Sequence, residues 1–250
     1  MHRAIQPLLQ VGLIAIILGG WEAAARFQFV NPQLLPPPSV VAPHVFAFLV
    51  RPEMLYHLWV TSAQVVTAFV LVAPIGIALG LLLGENDYLG RAFKPFFYFV
   101  TSVPKSVFLP IFILAFGIGF TQKILFGMFS AIFVLVISAI AAANSVPGDL
   151  ITVARSYGAK RWQLYMQIYW PAMLPVLMEG IRLAMIFNIT GVVFAEMYVA
   201  RAGLGSLISN WGMSFQMPEL FSGIALTAAF SIIINETLRY YERRVGRWRA

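Results

Sequence analysis

The sequence contains no cysteine and few charges. Without thiols there are no disulfides, no thiolate metal ligands and no cysteine nucleophile. Charged residues make up 11% of the 250 residues, against 60% hydrophobic ones, and mean hydropathy is +0.82. An ordinary soluble domain carries about a quarter charged residues, so this chain lacks the polar surface that water requires and belongs in a bilayer. Acids are the scarcest charge, 10 against 17 Lys and Arg, for a net +7. No Gly-x-x-x-x-Gly-Lys-Ser/Thr occurs to cradle nucleotide phosphates, and no His-Glu-x-x-His or Cys/His cluster to hold a metal. His44 and His57 stand alone and are expected to be interfacial residues. The expectation is therefore no catalytic residue, no metal and no cofactor in this chain.

What the sequence does have is long apolar runs. Crossing about 30 Å of hydrocarbon takes roughly 20 mostly apolar residues. Six runs qualify: Leu8 to Ala25, Leu58 to Leu83, Phe93 to Phe116, Lys123 to Ala143, Met173 to Val199 and Leu220 to Leu238. They are continuous rather than alternating, which favours helices over barrel strands. The predicted fold is an all-α membrane protein of six transmembrane helices, forming a single transmembrane domain over residues 1–250. A competing reading of the N-terminus exists, because "MHR", an apolar stretch and "AAA" imitate a signal peptide. Trp21 and Glu22 sit close to such a cut, and a retained helix gives the better charge balance.

With the N-terminus in the cytoplasm and alternating helices, the inner segments hold Arg3, Arg91, Lys94, Arg155, Lys160, Arg161, Arg239, Arg243, Arg244, Arg247 and Arg249. The outer ones hold Arg26, Arg51, Lys123 and Arg201. Eleven against four satisfies the positive-inside rule, and the basic tail "RYYERRVGRWRA" reads as a topology anchor rather than a nucleic-acid patch. Outside, "VNPQLLPPPSVV" begins as an extended Pro-rich segment, after which Ser39 is expected to cap a short helix lying on the membrane surface. In the second span Gly76, Gly80 and Gly84 fall on one helix face, a signal for close packing.

One inner segment, "DLITVARSYGAKRWQLYMQIYWPAMLP", interrupts the apolar pattern. Leu150, Val153, Ala154 and Tyr157 share one side of a short helix, while Thr152, Arg155 and Ser156 face away. Gly158 ends that helix, since glycine enters a left-handed cap without steric cost. A second helix, Lys160 to Trp170, is expected to leave at a new angle, carrying Trp162, Tyr165 and Tyr169, with Pro171 and Pro175 marking the return to the membrane. Such a corner, at about residues 145–172, is either a partner surface or a helix pair resting on lipid headgroups.

The stretch "ARSYGAKRWQLYMQIYWPAMLP" resembles the cytoplasmic EAA loop of ABC-importer permeases, whose pattern runs acid, Ala, Ala, three residues, Gly, a spacer and Leu-Pro. Thr152, Val153 and Ala154 take the acid-Ala-Ala positions, Gly158 the glycine, Leu174 and Pro175 the end. The acid is missing, and Pro147 and Gly148 replace the usual Asp-Pro start. "NPQLLPPPSVV", "LPIFILAFGIG", "GVVFAEMYVARAGLGSLI" and "RYYERRV" resemble, in order, blocks of the nitrate, sulfonate, taurine and bicarbonate branch. The resemblance implies a type I importer permease in the inner membrane of a bacterium. It further implies a dimer of six-helix subunits, two ATP-binding subunits that hold ATP and Mg, and an external solute-binding protein. Thr152, Val153, Ala154, Arg155, Tyr157, Gly158, Ala159, Trp162, Leu174 and Pro175 then couple the permease to its ATPase. Partners beyond these are membrane lipid, and no nucleic acid.

Ionisable residues inside a span usually face a cavity or a partner. Lys105, between Pro104 and Pro110, is a candidate for lining the pathway and would favour an anion; its alternatives are snorkelling to the interface or a structural pairing with an acid such as Glu196 or Glu179. Asn188, Thr190 and Glu196 are further pathway candidates, and Arg182 with Glu179 is expected to form a local ion pair. The solute expected is small and anionic, of nitrate, sulfonate, taurine, bicarbonate or aromatic-carboxylate type. A stand-alone channel or secondary transporter remains the alternative, although no inverted repeat is evident. Reporter fusions after residues 1 and 250 should both read cytoplasmic; an external C-terminus overturns the six-span topology.

Overall fold

The structure, a computed structural model, describes the backbone of residues 2–245 and the side chains of residues 9–244. The side chains of Arg3, Arg247 and Arg249, expected as anchors, lie outside those ranges. Among the described residues the regular structure is entirely helical. Helix α1 (His2–Arg26) leads to α2 (Pro38–Val50), α3 (Pro52–Glu85) and α4 (Asp87–Ser102). Then come α5 (Leu109–Phe116), α6 (Phe120–Asn144), α7 (Gly148–Ser156) and α8 (Arg161–Leu164). The chain closes with α9 (Trp170–Val199), α10 (Leu204–Met213) and α11 (Met217–Val245). Five of these runs are long and apolar enough to cross a bilayer, and α4 with α5 makes the sixth span.

Helix α6 is the centre of the bundle, with α3 on one side and α9 on the other. The reason is a lack of side-chain bulk where the helices meet. A Cβ on Gly80 of α3 would fall 2.4 Å from Ala139 Cβ and 2.5 Å from the Val136 carbonyl of α6, so the two backbones pack at a distance that only glycine permits. Gly76 and Gly84 meet Leu135 and Ala143 of α6 in the same way. This is the stripe anticipated from the sequence, and it follows the general reliance of membrane helices on small residues for close approach. The seams are filled by buried Val72, Ala131, Leu135 and Ala184, and nearer one end by Ala139, Ala142, Met173 and Leu177.

The third span differs from the continuous helix expected over Phe93 to Phe116. It breaks between α4 and α5 with a bend of 91°. Pro104 has no N–H to give the Val100 carbonyl, and its ring excludes a helical turn there; Val103 before it is extended, φ −80° and ψ 132°. A single 3₁₀ turn, Lys105–Phe108, restarts the chain, and Pro110 is tolerated in the first turn of α5.

Two further expectations are corrected. Ser39 does not cap α2, which starts at Pro38. Instead Glu22 of α1 accepts from Ser39 N at 3.0 Å and Ser39 Oγ at 2.8 Å, and also from Arg26, so a carboxylate from another helix serves the α2 start. The second helix of the corner does not stop at Trp170. Residues 161–199 run on as one helical segment through a π turn, Tyr165–Tyr169, a widened turn that lets the ladder absorb the missing N–H of Pro171. Helix α10, Gly- and Ser-containing and ten residues long, is not anticipated by the sequence reading.

Replacing Gly80 by Val should cost at least the 1–3 kcal/mol typical of overpacking and lower the thermal unfolding midpoint of the solubilised protein. Gly19→Ala, where nothing lies within 4 Å of the added Cβ, should not; equal effects would mean that the α3–α6 contact does not set stability.

Candidate functional site

The break in the third span creates the site. Pro104 deprives α4 of its next backbone donor, and Lys105 supplies the replacement. Its Nζ donates to the Val100 carbonyl at 3.0 Å and the Thr101 carbonyl at 2.5 Å, and lies 5.9 Å from the centre of the Phe133 ring. The ammonium therefore caps the α4 C-terminus, whose carbonyl end attracts cations. It pairs with neither Glu196 nor Glu179.

Beside it opens a cavity of about 430 Å³. It is lined by residues 101–106, by Phe126 and Ser130 of α6, and by Phe187, Thr190 and Phe194 of α9. Lys105 and Thr190, two of the residues singled out from the sequence, thus come to one cavity.

The other two do not. Asn188 is fully buried, with Nδ2 donating to the Val65 carbonyl of α3 at 2.8 Å. It sits against Gly127 of α6 and pins three helices together. Glu196 is also fully buried. Its carboxylate accepts from Thr61 Oγ1 at 2.8 and 3.0 Å and from Gly205 N at 2.9 Å, and faces the charge of Lys123. Lys123 itself donates to the Ile118 carbonyl. Both residues are held inside the subunit by these bonds, so neither lines the cavity.

Around Glu196 the structure builds a clamp that the sequence does not announce. Thr61 Oγ1 donates to Glu196 and accepts from Leu204 N at 2.8 Å, and His57 Nδ1 lies 3.0 Å from Gly203 N. The start of α10 is thereby fixed to α3 and to the end of α9. His57, expected to be merely interfacial, is part of this clamp. Arg182 is corrected too: its partner is Glu242 of α11, Nε to Oε2 3.1 Å, because the helices bring that carboxylate to it.

At the other end of the bundle lies the corner. Gly158 N donates to the Arg155 carbonyl at 2.9 Å and Ala159 N to the Ala154 carbonyl at 3.0 Å, with Gly158 at φ +77°. These two bonds around a left-handed glycine make a Schellman cap, as the sequence leads one to expect. Helix α7 has no side-chain N-cap, and none of its residues is buried. Leu150 and Val153 are half exposed and Tyr157 is 89% exposed, together forming an apolar strip open to the surface. Thr152, Arg155 and Trp162 are exposed as well, and Ala154 and Ala159 are intermediate. Thr152 Oγ1 donates to the Gly148 carbonyl at 3.1 Å. Leu174 and Pro175 lie beyond the corner, inside α9. The corner is tied to the bundle by Tyr165, whose hydroxyl donates to Glu85 of α3 at 2.8 Å.

Comparison with known proteins agrees with this arrangement. The sequence profile of the binding-protein-dependent transport system inner membrane component matches residues 74–247. The taurine transport system permease protein TauC of Escherichia coli (strain K12) is 29% identical over 249 residues, covering 97% of this chain and 90% of that one. The riboflavin transport system permease protein RibX of Chloroflexus aurantiacus is 30% identical over 237 residues, 95% and 88% of the two chains. Among solved structures, the MetNI methionine ABC transporter in an inward-facing conformation contains a chain similar to this one. It has a TM-score of 0.67 at 20% identity, and the match covers 78% of this chain and 99% of that one.

The clamp carries its own test. Thr61→Val keeps the shape but strips Glu196 of a donor and Leu204 N of its acceptor, each buried and worth about 1–3 kcal/mol when left unpaired. Thermal stability should fall for Thr61→Val and be largely kept in Thr61→Ser; a Val variant as stable as the parent removes the clamp from the account.

Proposed function

The chain belongs to the binding-protein-dependent transport system inner membrane components, the permeases of ABC importers, and from that premise we propose the rest of its role. It is one of two identical permease subunits enclosing a pathway for a small anionic solute across the inner membrane of a bacterium. An external solute-binding protein delivers the solute. Two separate ATP-binding subunits hydrolyse ATP with Mg, and both termini of this chain are cytoplasmic.

The observation that carries this reading is the exposed apolar strip of Leu150, Val153 and Tyr157 on α7, whose helix is ended by the Gly158 cap. A rigid helix that leaves its apolar side chains to water, at the end of the bundle where the charge rule puts the cytoplasm, is suited to a groove on another protein. Helix α7 and the cap form the coupling element, with Thr152, Arg155 and Trp162 at its margins. The missing acid at Thr152 removes one charge from that contact. At mid-membrane, a discontinuous helix beside a cavity is where transporters commonly place their solute. Lys105 supplies the cationic wall there and Thr190 the facing one. The family's relatives of differing named solutes do not fix the solute of this chain.

The experiment is substitution at the corner. Gly158 has free space around a Cβ, so Gly158→Ala adds backbone strain of roughly 1 kcal/mol and no clash. Gly158→Val is worse, because a β-branched residue resists the left-handed region further. The Val variant should still insert in the membrane yet bind the ATP-binding subunit weakly, or hydrolyse ATP without uptake. Pull-down, ATP turnover and uptake from one preparation decide it. Full binding with full coupled uptake would mean that α7 is not the coupling element.

A further inference from the structure

We propose that the Lys105 cavity receives an organic acid bearing both an apolar body and a hydrogen-bond donor, and that it disfavours small inorganic anions such as nitrate. This rests on the reading that the cavity lies on the transport pathway, and it deepens that reading by naming the class of solute.

The argument starts from where the hydroxyl protons go. A hydroxyl has one hydrogen to donate and two lone pairs to accept with. Thr101 Oγ1 donates to the Phe97 carbonyl at 2.7 Å and Ser102 Oγ to the Tyr98 carbonyl at 3.3 Å. Ser130 Oγ donates to the Phe126 carbonyl and Thr190 Oγ1 to the Ile186 carbonyl, both at 2.8 Å. Each of the four has committed its proton to its own helix, one turn back. What they retain for a ligand is lone pairs, so they act toward it as acceptors. Donors come from a single place on the wall. Lys105 has three N–H bonds and spends two on carbonyls, and the neighbouring Ser106 hydroxyl makes no hydrogen bond within the described chain.

The cavity therefore has a polarity. One corner, Lys105 with Ser106, suits an acid group. Thr190 and Ser130, on α9 and α6, suit a group that gives a proton. Phe187 and Phe194 also line the cavity, an apolar surface that gains from covering by carbon. Nitrate satisfies the first corner only. It has no donor to give the lone pairs of Thr190 and Ser130, so on binding it would displace water from them without replacing its hydrogen bonds, and it has no apolar surface for the aromatic walls. At about 430 Å³ the cavity also falls in the range of sites for organic ligands. The names of the relatives do not supply this conclusion, since a taurine and a riboflavin permease are similar to this chain at nearly the same identity.

The test uses the full-length permease in lipid nanodiscs, with 4-hydroxybenzenesulfonate, benzenesulfonate and nitrate as probes, and dissociation constants from ligand-observed NMR titration. The two sulfonates differ by one hydroxyl donor. The hydroxylated probe should bind several-fold more tightly than benzenesulfonate and about tenfold or more tightly than nitrate, the scale of one to two satisfied polar contacts. Thr190→Val, an isosteric change at an exposed position, should erase the advantage of the hydroxylated probe and leave benzenesulfonate unchanged. Lys105→Met should weaken both sulfonates; if that variant does not fold, the Thr190 comparison alone decides. Nitrate binding as tightly as the sulfonates, or Thr190→Val affecting both sulfonates equally, overturns the proposal. Uptake by the reconstituted transporter separates it from the reading beneath it. If uptake ignores Lys105→Met and Thr190→Val while probe binding behaves as expected, the cavity is off the pathway and the ligand class stands. If uptake depends on Lys105 while the wild-type cavity prefers nitrate, the pathway stands and the ligand class fails.

Discussion

In hydrocarbon there is no water to satisfy an orphaned carbonyl, so breaking a transmembrane helix requires a substitute donor at the break. Pro104 causes the break and Lys105, the next residue, repairs it by giving its ammonium to the carbonyls of Val100 and Thr101. The 91° bend and the short 3₁₀ turn follow from Pro104; Val103 N already reaches the Val100 carbonyl at 3.2 Å, and Lys105 adds a second donor there at the edge of the cavity. The same pair of residues thus makes an opening in the bundle and places a charge at its edge, where the carbonyl end of α4 attracts the ammonium.

The surroundings are made rigid by contrast. Backbones of α3 and α6 are pressed together where Gly80 meets Ala139, and α9 is held on the other face of α6 by close packing and by Asn188. Far from the corner, Glu196 and Thr61 fasten the start of α10. Polar groups that sequence alone places in a membrane therefore divide into two kinds. Some, such as Asn188 and Glu196, spend their capacity on neighbouring helices; others, such as Lys105 and Thr190, sit on an open wall.

That division explains what is legible before a structure is seen. Apolar runs locate every span, because length and hydropathy are properties of the chain itself. The glycine stripe and the Gly158 cap are also legible, being local patterns with one conformational meaning. The bend of the third span is half legible: Pro104 and Pro110 mark it, while the uniform hydropathy of Phe93 to Phe116 hides it. Helix α10 is too short and too rich in Gly and Ser to stand out. The clamp of His57, Thr61, Gly203 and Glu196 is illegible because its members meet only after folding, 135 residues separating Thr61 from Glu196. Ser39 and Arg182 mislead for the same reason, since each has a better partner on a distant helix, Glu22 and Glu242.

The unbroken helical path from residue 161 to residue 199 gives the molecule a lever arm. At about 1.5 Å per residue, the interval from Arg161 to Thr190 spans roughly 44 Å, with the π turn at Tyr165–Tyr169 included in the continuous helical segment. If residues 161–199 were to tilt as one piece, a displacement imposed beside the Gly158 corner would be felt at Thr190, so the width of the cavity and the attitude of the corner would change together.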